Sequence, residues 1–294
     1  MKTNYYLCDK SRRYSALAVK NIQAKLDISR SLMSIFVSNI SVTMTNKSIQ
    51  CELCAYSVEA CVAAKRLGVD RVELCASPSD GGITPSMATI ERVSAIKGID
   101  VSVMIRPRGG DFLYSDEEFD TMLADIAYAR KCGVTGVVFG ILTADGRVDT
   151  ERTRLLVEAA QGMETTFHRA VDMTADYLLA IEDIIATGCT RILTSGGYDK
   201  AIDGRDAITQ AVAIANGRIQ IMAGSGVSPD NALQLAETGV DALHFSAKKM
   251  IQGGMQYRNP RISMGGTDAV DEYALRTINE EEVATIVKLI KKQL

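Results

Sequence analysis

From residue 48 onward the apolar and polar positions of this chain repeat one unit: a helical stretch closed by glycine, a short apolar run, a loop, then another helical stretch. The closing glycines are Gly68, Gly98, Gly133, Gly162, Gly188, Gly217 and Gly239. Glycine is favoured just past a helix because it accepts a positive φ without a Cβ clash. The apolar runs are Ile49–Cys54, Arg71–Cys75, Val101–Arg106, Gly136–Ile141, Thr165–His168, Arg191–Ser195, Ile219–Ala223 and Ala242–Ser246. They predict eight strands. Ser115 with Glu118, and Asn279 with Glu282, read as capping boxes. Thr84-Pro85 and Ser228-Pro229 predict a cap followed by proline in the first helical turn. Strand–helix alternation at this spacing implies parallel βαβ units. Eight units, in a fold that typically takes about 250 residues, predict a single (β/α)8 (TIM) barrel of class α/β rather than an open sheet.

Alternation along each strand then sorts the side chains. The outward set must pack on helices, which assigns it Leu53, Leu74, Val103, Ile105, Phe167, Ile221, Leu243 and Phe245. The inward set holds Glu52, Cys54, Glu73, Cys75, Ser102, Met104, Arg106, Thr166, His168, Gln220, Met222, His244 and Ser246. A barrel interior is normally filled by Val, Ile and Leu. Buried charges cost several kcal/mol each unless paired, so Glu52 and Glu73 require Arg106, Arg169 or a bound cation. A polar interior at the strand ends is better explained by a site than by packing.

Composition narrows the choice of function. Hydrophobic residues make up 47% of the chain and mean hydropathy is near zero, as for a protein with a sizeable core. No apolar run reaches the ~18 residues of a membrane span; Leu32–Val42 is short and interrupted. Residues 1–47 carry eight Lys/Arg and two acids, a net +6, which leaves −9 of the total −3 for the remainder. So acidic a body, with no Trp, argues against nucleic acid as a partner. The basic stretch 1–47 reads as a disordered extension or as sequence upstream of a start at Met44, against the alternatives of a presequence or a surface arm. Residues 48–294 form the barrel. Seven cysteines, an odd number with no secretory signal, read as reduced thiols in a cytoplasmic protein.

Candidate chemistry gathers at the C-terminal ends of the strands. Glu52-Leu53-Cys54 and Glu73-Leu74-Cys75 are one tripeptide on adjacent strands, which lie about 4.8 Å apart. Two inward thiols at matching positions there favour Cu(I) or Zn(II), whereas a buried Cys is otherwise only a small hydrophobe. His168, His244 or Met104 can assist such a metal. Cys51 has the opposite parity, and Cys8, Cys61, Cys132 and Cys189 read as inert. Arg106-Pro107-Arg108-Gly109-Gly110-Asp111 follows strand 3 and suits capture of a carboxylate or phosphate by Arg106 and Arg108. Asp111 can pair with an Arg. After strand 5, His168 reads as a general base or metal ligand, with Arg169 beside it and Asp172 orienting it or meeting an Arg. Gly224-Ser225-Gly226 and Ser246-Ala247 lie where many barrels bind phosphate, with backbone N–H groups and a helix N-terminus facing the anion. Ser195-Gly196-Gly197 widens that cradle.

These residues also carry a resemblance. Glu52-Leu53-Cys54, Arg71-Val72-Glu73-Leu74-Cys75, Gly81-Gly82-Ile83-Thr84-Pro85-Ser86, Ile105 through Phe112, Thr166-Phe167-His168-Arg169-Ala170, Leu193-Thr194-Ser195-Gly196 and Tyr257-Arg258-Asn259 resemble the CutC family of copper homeostasis proteins from about residue 49 to the end. The resemblance implies a cytoplasmic (β/α)8 barrel, a homo-oligomer (dimer or tetramer), and Cu(I) at Cys54 and Cys75. Two functions therefore compete. One is Cu(I) binding at the barrel mouth. The other is an enzyme acting on a small anionic or phosphorylated metabolite. In that enzyme Glu52, Glu73 and His168 transfer protons. Arg106, Arg108, Asp111, Arg169, Asp172, Ser195, Gly224, Gly226 and Ser246 bind the substrate. A purely structural module has no use for so costly a charged mouth.

Overall fold

The computed structural model describes residues 48–262 and 271–292, so the expectation for residues 1–47 lies outside the described residues. Eight parallel strands close into a barrel in chain order: β1 (Gln50–Ala55), β2 (Arg71–Leu74), β3 (Asp100–Met104), β4 (Gly136–Phe139), β5 (Glu164–Phe167), β6 (Arg191–Thr194), β7 (Gln220–Gly224) and β8 (Ala242–Phe245). The helices between them are α1 (Val58–Arg66), α2 (Met87–Ser94), α3 (Asp116–Lys131), α4 (Thr150–Ala160), α5 (Tyr177–Thr187), α6 (Arg205–Ala215) and α7 (Ala232–Ala236), and α8 (Glu280–Lys291) ends the fold. Among the described residues no helix is long and apolar enough to cross a membrane.

The expected repeat is present. All seven closing glycines have positive φ. The outward residues of the strands join the helices in one large core that contains Leu53, Leu74, Val103, Ile105, Phe167, Ile221, Leu243 and Phe245. Cys51 lies in that core too, where burial pushes its thiol up to about 12. Burial likewise raises Cys61 to about 12 and Cys189 to about 11. Inside the barrel are two small apolar groups: Cys54, Cys75, Met104 and Val138, and Leu193, Met222 and Ala242.

Ser115 and Glu118 form the expected capping box on α3, and Asn279 accepts from the Glu282 N–H at the start of α8. The two proline signals mark the wrong residues. α2 is capped by Ser86, not Thr84. Thr84 is held extended by the following proline, and its hydroxyl instead bonds the Arg106 backbone, pinning this loop to the end of β3. α7 starts only at Ala232, because Ser228 and Pro229 are used in a turn that Asn231 closes by accepting from the Ser228 N–H.

One element has no counterpart in the expected pattern. After β8 the chain forms an antiparallel ribbon of β9 (Lys248–Gln252) and β10 (Ala274–Ile278). Every residue of β9 is exposed. The ribbon roots at the barrel mouth, where Lys248 and Arg276 line the cavity described below.

Candidate functional site

The mouth of the barrel holds a cavity of about 650 Å3, walled by Cys54, Glu73, Met104, Arg106, His168 and His244, among others. β1 and β2 supply the sulfurs. Their register places Cys54 opposite Glu73, not opposite Cys75. The two tripeptides are therefore staggered by two residues, which corrects the expectation of matching positions. The stagger still brings the sulfurs to 4.0 Å from each other. Within the same stretch of chain, the Glu73 carboxylate lies 3.4 Å from the Cys75 Sγ. Cys54, Glu73 and Cys75 thus offer ligand atoms within 4.8 Å of one another, and so do Glu52, Glu73 and His244.

The pairing of the interior acids also differs from expectation. Neither Arg106 nor Arg169 pairs with them. Glu52, fully buried, is bound by Arg71 from below and by His244 Nδ1 at 2.8 Å. Burial alone would raise Glu52, but the His244 hydrogen bond and the Arg71 charge outweigh it and hold the carboxyl at about 2. Arg71 and Arg191 form a floor with Glu164, Gln50 and Gln220. Both arginines are inward residues, by the same two-residue step that turns Glu73 and Leu193 inward. That parity was available in the sequence.

Above the floor, Glu73 is raised to about 8, first by burial. Burial disfavours charge on His244, but Glu73, the Cys54 sulfur and Glu52 surround it and raise it well above the usual imidazole range. The neighbouring Cys75 and His244 hold the Cys54 thiol well below its ordinary value, against burial. Cys75 is raised by Cys54 and by burial. The surroundings thus favour the charged form of Cys54 and of His244 and the neutral form of Cys75.

His168 sits across the cavity and belongs to neither ligand group. Its Nδ1 accepts from the Ala170 N–H at 3.2 Å, which leaves the proton on Nε2, and Nε2 has no partner among the described residues. Burial, followed by the charge of Arg106, lowers it to about 3. As held, it is a neutral donor rather than a base.

The remaining predicted residues divide. Arg106 lines the cavity, with its guanidinium on the carbonyls of Asp80, Gly82 and Gly110. Arg108 turns to Glu118 and Asp111 and stacks on Tyr114; neither it nor Asp111 lines the cavity. Arg169 lines the cavity and bonds Asp172 at 2.9 Å and Ser195 at 2.8 Å. Asp172 meets this arginine rather than His168. It also accepts from Ser195 and Gly197 N–H groups, so it anchors the loop after β6. Gly226 and Ser246 line the cavity. Gly224 is needed for close approach, since a Cβ there would meet Leu193 Cδ1 at 2.5 Å. Arg71, Arg191, Tyr56 and Arg276 were not anticipated. Only the first two had a sequence signal.

The model of the CutC family matches residues 49–249. A CutC family protein of Bacteroides thetaiotaomicron is 46% identical over 247 residues, 83% of this chain and 99% of its own length. A human protein named copper homeostasis protein cutC homolog is 41% identical over 244 residues, 83% of this chain and 89% of its own. A crystal structure from Streptococcus agalactiae, described as a CutC copper homeostasis protein, superposes with a TM-score of 0.64 at 38% identity, covering 67% of this chain and 97% of that one. Phosphoribosylanthranilate isomerase from Thermotoga maritima, at 12% identity and a TM-score of 0.51, shares the fold alone.

Proposed function

Since the chain belongs to the CutC family, we propose that it acts in copper homeostasis by binding Cu(I) between Cys54 and Cys75 at the barrel mouth. The observation that carries this reading is the 4.0 Å separation of the two sulfurs. Metal–thiolate bonds of about 2.3 Å span between ~3.8 Å at a tetrahedral angle and ~4.6 Å when linear, so this spacing admits a metal at an angle of about 120° with little movement. Thiolate and thioether donors select Cu(I), and Met104 belongs to the same small apolar group as both cysteines. Glu73 Oε2 stands 3.4 Å from Cys75 Sγ as a third donor. His244 beside Cys54 is pushed towards its charged form, which offsets part of the negative charge that a monovalent ion must balance. The relatives' copper homeostasis names support the reading.

The test is anaerobic Cu(I) titration against a chromogenic chelator. Wild type should take one tightly held Cu(I) per chain, and a Cys54→Ser/Cys75→Ser variant should lose it. Equal stoichiometry and affinity in the two proteins would remove the proposal.

A further inference from the structure

The cavity is larger than the sulfur pair requires. Its 650 Å3 falls within the range of about 300–1,000 Å3 typical of small-molecule sites, whereas an ion held by Cys54 and Cys75 fills one wall of it.

The wall across from the sulfurs carries an unbalanced charge. Arg106 is only 6% exposed. Its terminal nitrogens go to three backbone carbonyls, of Asp80, Gly82 and Gly110, and its guanidinium lies 5.1 Å from the Phe112 ring. Among the described residues it forms no ion pair; the buried Tyr114 hydroxyl lies beside its guanidinium, but its Nε–H makes no hydrogen bond of good geometry. Neutral carbonyls satisfy N–H groups but do not cancel a charge, and an unpaired buried cation is costly. His168 stands beside it, 5% exposed, with an unpartnered Nε2–H. Phe112 touches both side chains, its ring 4.9 Å from that of His168.

The ribbon adds charge at the rim. Arg276 stacks 5.3 Å over Tyr56, and among the described residues its guanidinium donates only to the Pro78 carbonyl, at 3.3 Å. Among the described residues the rest of its fork has no partner and suits a planar or tetrahedral anion. Lys248 lines the same mouth. The acids at the rim, Asp80 and Glu282, pair with neither Arg106 nor Arg276.

We propose that this cavity recognises a small organic acid, a carboxylate or a phosphate monoester. Its acid group takes the Nε–H of Arg106 and the Nε2–H of His168, displacing Phe112, and Arg276 holds the anion at the rim. The site is distinct from the sulfur pair and does not rest on copper binding.

The test is calorimetry on the full, metal-free chain with two probes, succinate and glycerol 3-phosphate, which separate the carboxylate from the phosphate source. Four proteins are compared: wild type, His168→Asn, Arg276→Gln and Cys54→Ser/Cys75→Ser. Circular dichroism and Tm establish that each is folded. Arg276→Gln lies at the rim and keeps the test open if the buried variant does not fold. Saturable binding of one probe to wild type and to the cysteine variant is expected, at least tenfold weaker in His168→Asn and Arg276→Gln. No saturable binding of either probe would overturn the proposal. So would equal affinity in wild type, His168→Asn and Arg276→Gln, or a loss confined to the cysteine variant.

Discussion

His168 makes the stability of this barrel depend on pH in a way that can be calculated. The folded chain holds the imidazole neutral, with its pKa lowered from 6.5 to about 3 by burial and by Arg106. In the unfolded chain the ring titrates near 6.5. Between these two values the unfolded state binds the extra proton, so stability must fall as pH falls from 6.5 towards 3. The full shift is worth about 4 to 5 kcal/mol, at 1.36 kcal/mol per unit. Over the accessible interval from pH 7 to pH 5, the same linkage removes about 2 kcal/mol. His168→Asn abolishes this contribution and keeps an acceptor near the Ala170 N–H that Nδ1 now serves. The assay is urea unfolding of both proteins at pH 7, 6 and 5. Wild type should lose about 2 kcal/mol more than the variant between the two ends of the series. Parallel loss in the two proteins would refute the reasoning, since other acid-sensitive groups are common to both.

The remaining predictions concern the scaffold of the site. Arg71→Met strands the buried Glu52 charge and should cost about 3–5 kcal/mol in chemical unfolding, and adding Glu52→Gln should return much of that loss. Gly140→Ala would place a Cβ 2.5 Å from His168 Nδ1 and 3.0 Å from Ala170 Cβ; overpacking of this kind should lower stability by about 1–3 kcal/mol, read as a fall in Tm. Ser115→Ala removes one half of the α3 capping box and should cost about 1 kcal/mol, with no change in Cu(I) stoichiometry.

The barrel was legible in the chain because its two periodicities serve different partners. Outward positions such as Leu53, Val103 and Phe245 must meet helices, so they are apolar, and every one of them lies in the outer core. Register was not legible. Parity tells which way Cys54 and Cys75 point, but the shear that closes a barrel decides what lies opposite, and here that is Glu73 for Cys54. The pairing of the acids was missed for a related reason. Arg71 and Arg191 open their strands, and a charged residue at a strand start reads as a solvent-facing edge. Yet the strand bottoms are plugged, not open, and both arginines are buried. The ribbon was invisible because neither of its strands is buried on either face. Neither strand therefore needs an alternating pattern.

The interior charges follow from one another in order along the barrel axis. A floor of Arg71 and Arg191 is already partly balanced by Glu164, which is itself half exposed. The floor still has charge to spare for Glu52, and this makes a fully buried carboxylate affordable at that depth. A carboxylate fixed there has one free oxygen, and His244 Nδ1 takes it. That bond orients the ring so that Nε2 faces Glu73 at 3.7 Å, next to the sulfurs. The mouth therefore inherits its electrostatics from the floor, three residues removed from Cys54. Arg106 receives nothing from this chain of pairs. It follows β3 rather than β1, β2 or β8, and its guanidinium meets three carbonyls and the Phe112 ring but no carboxylate among the described residues.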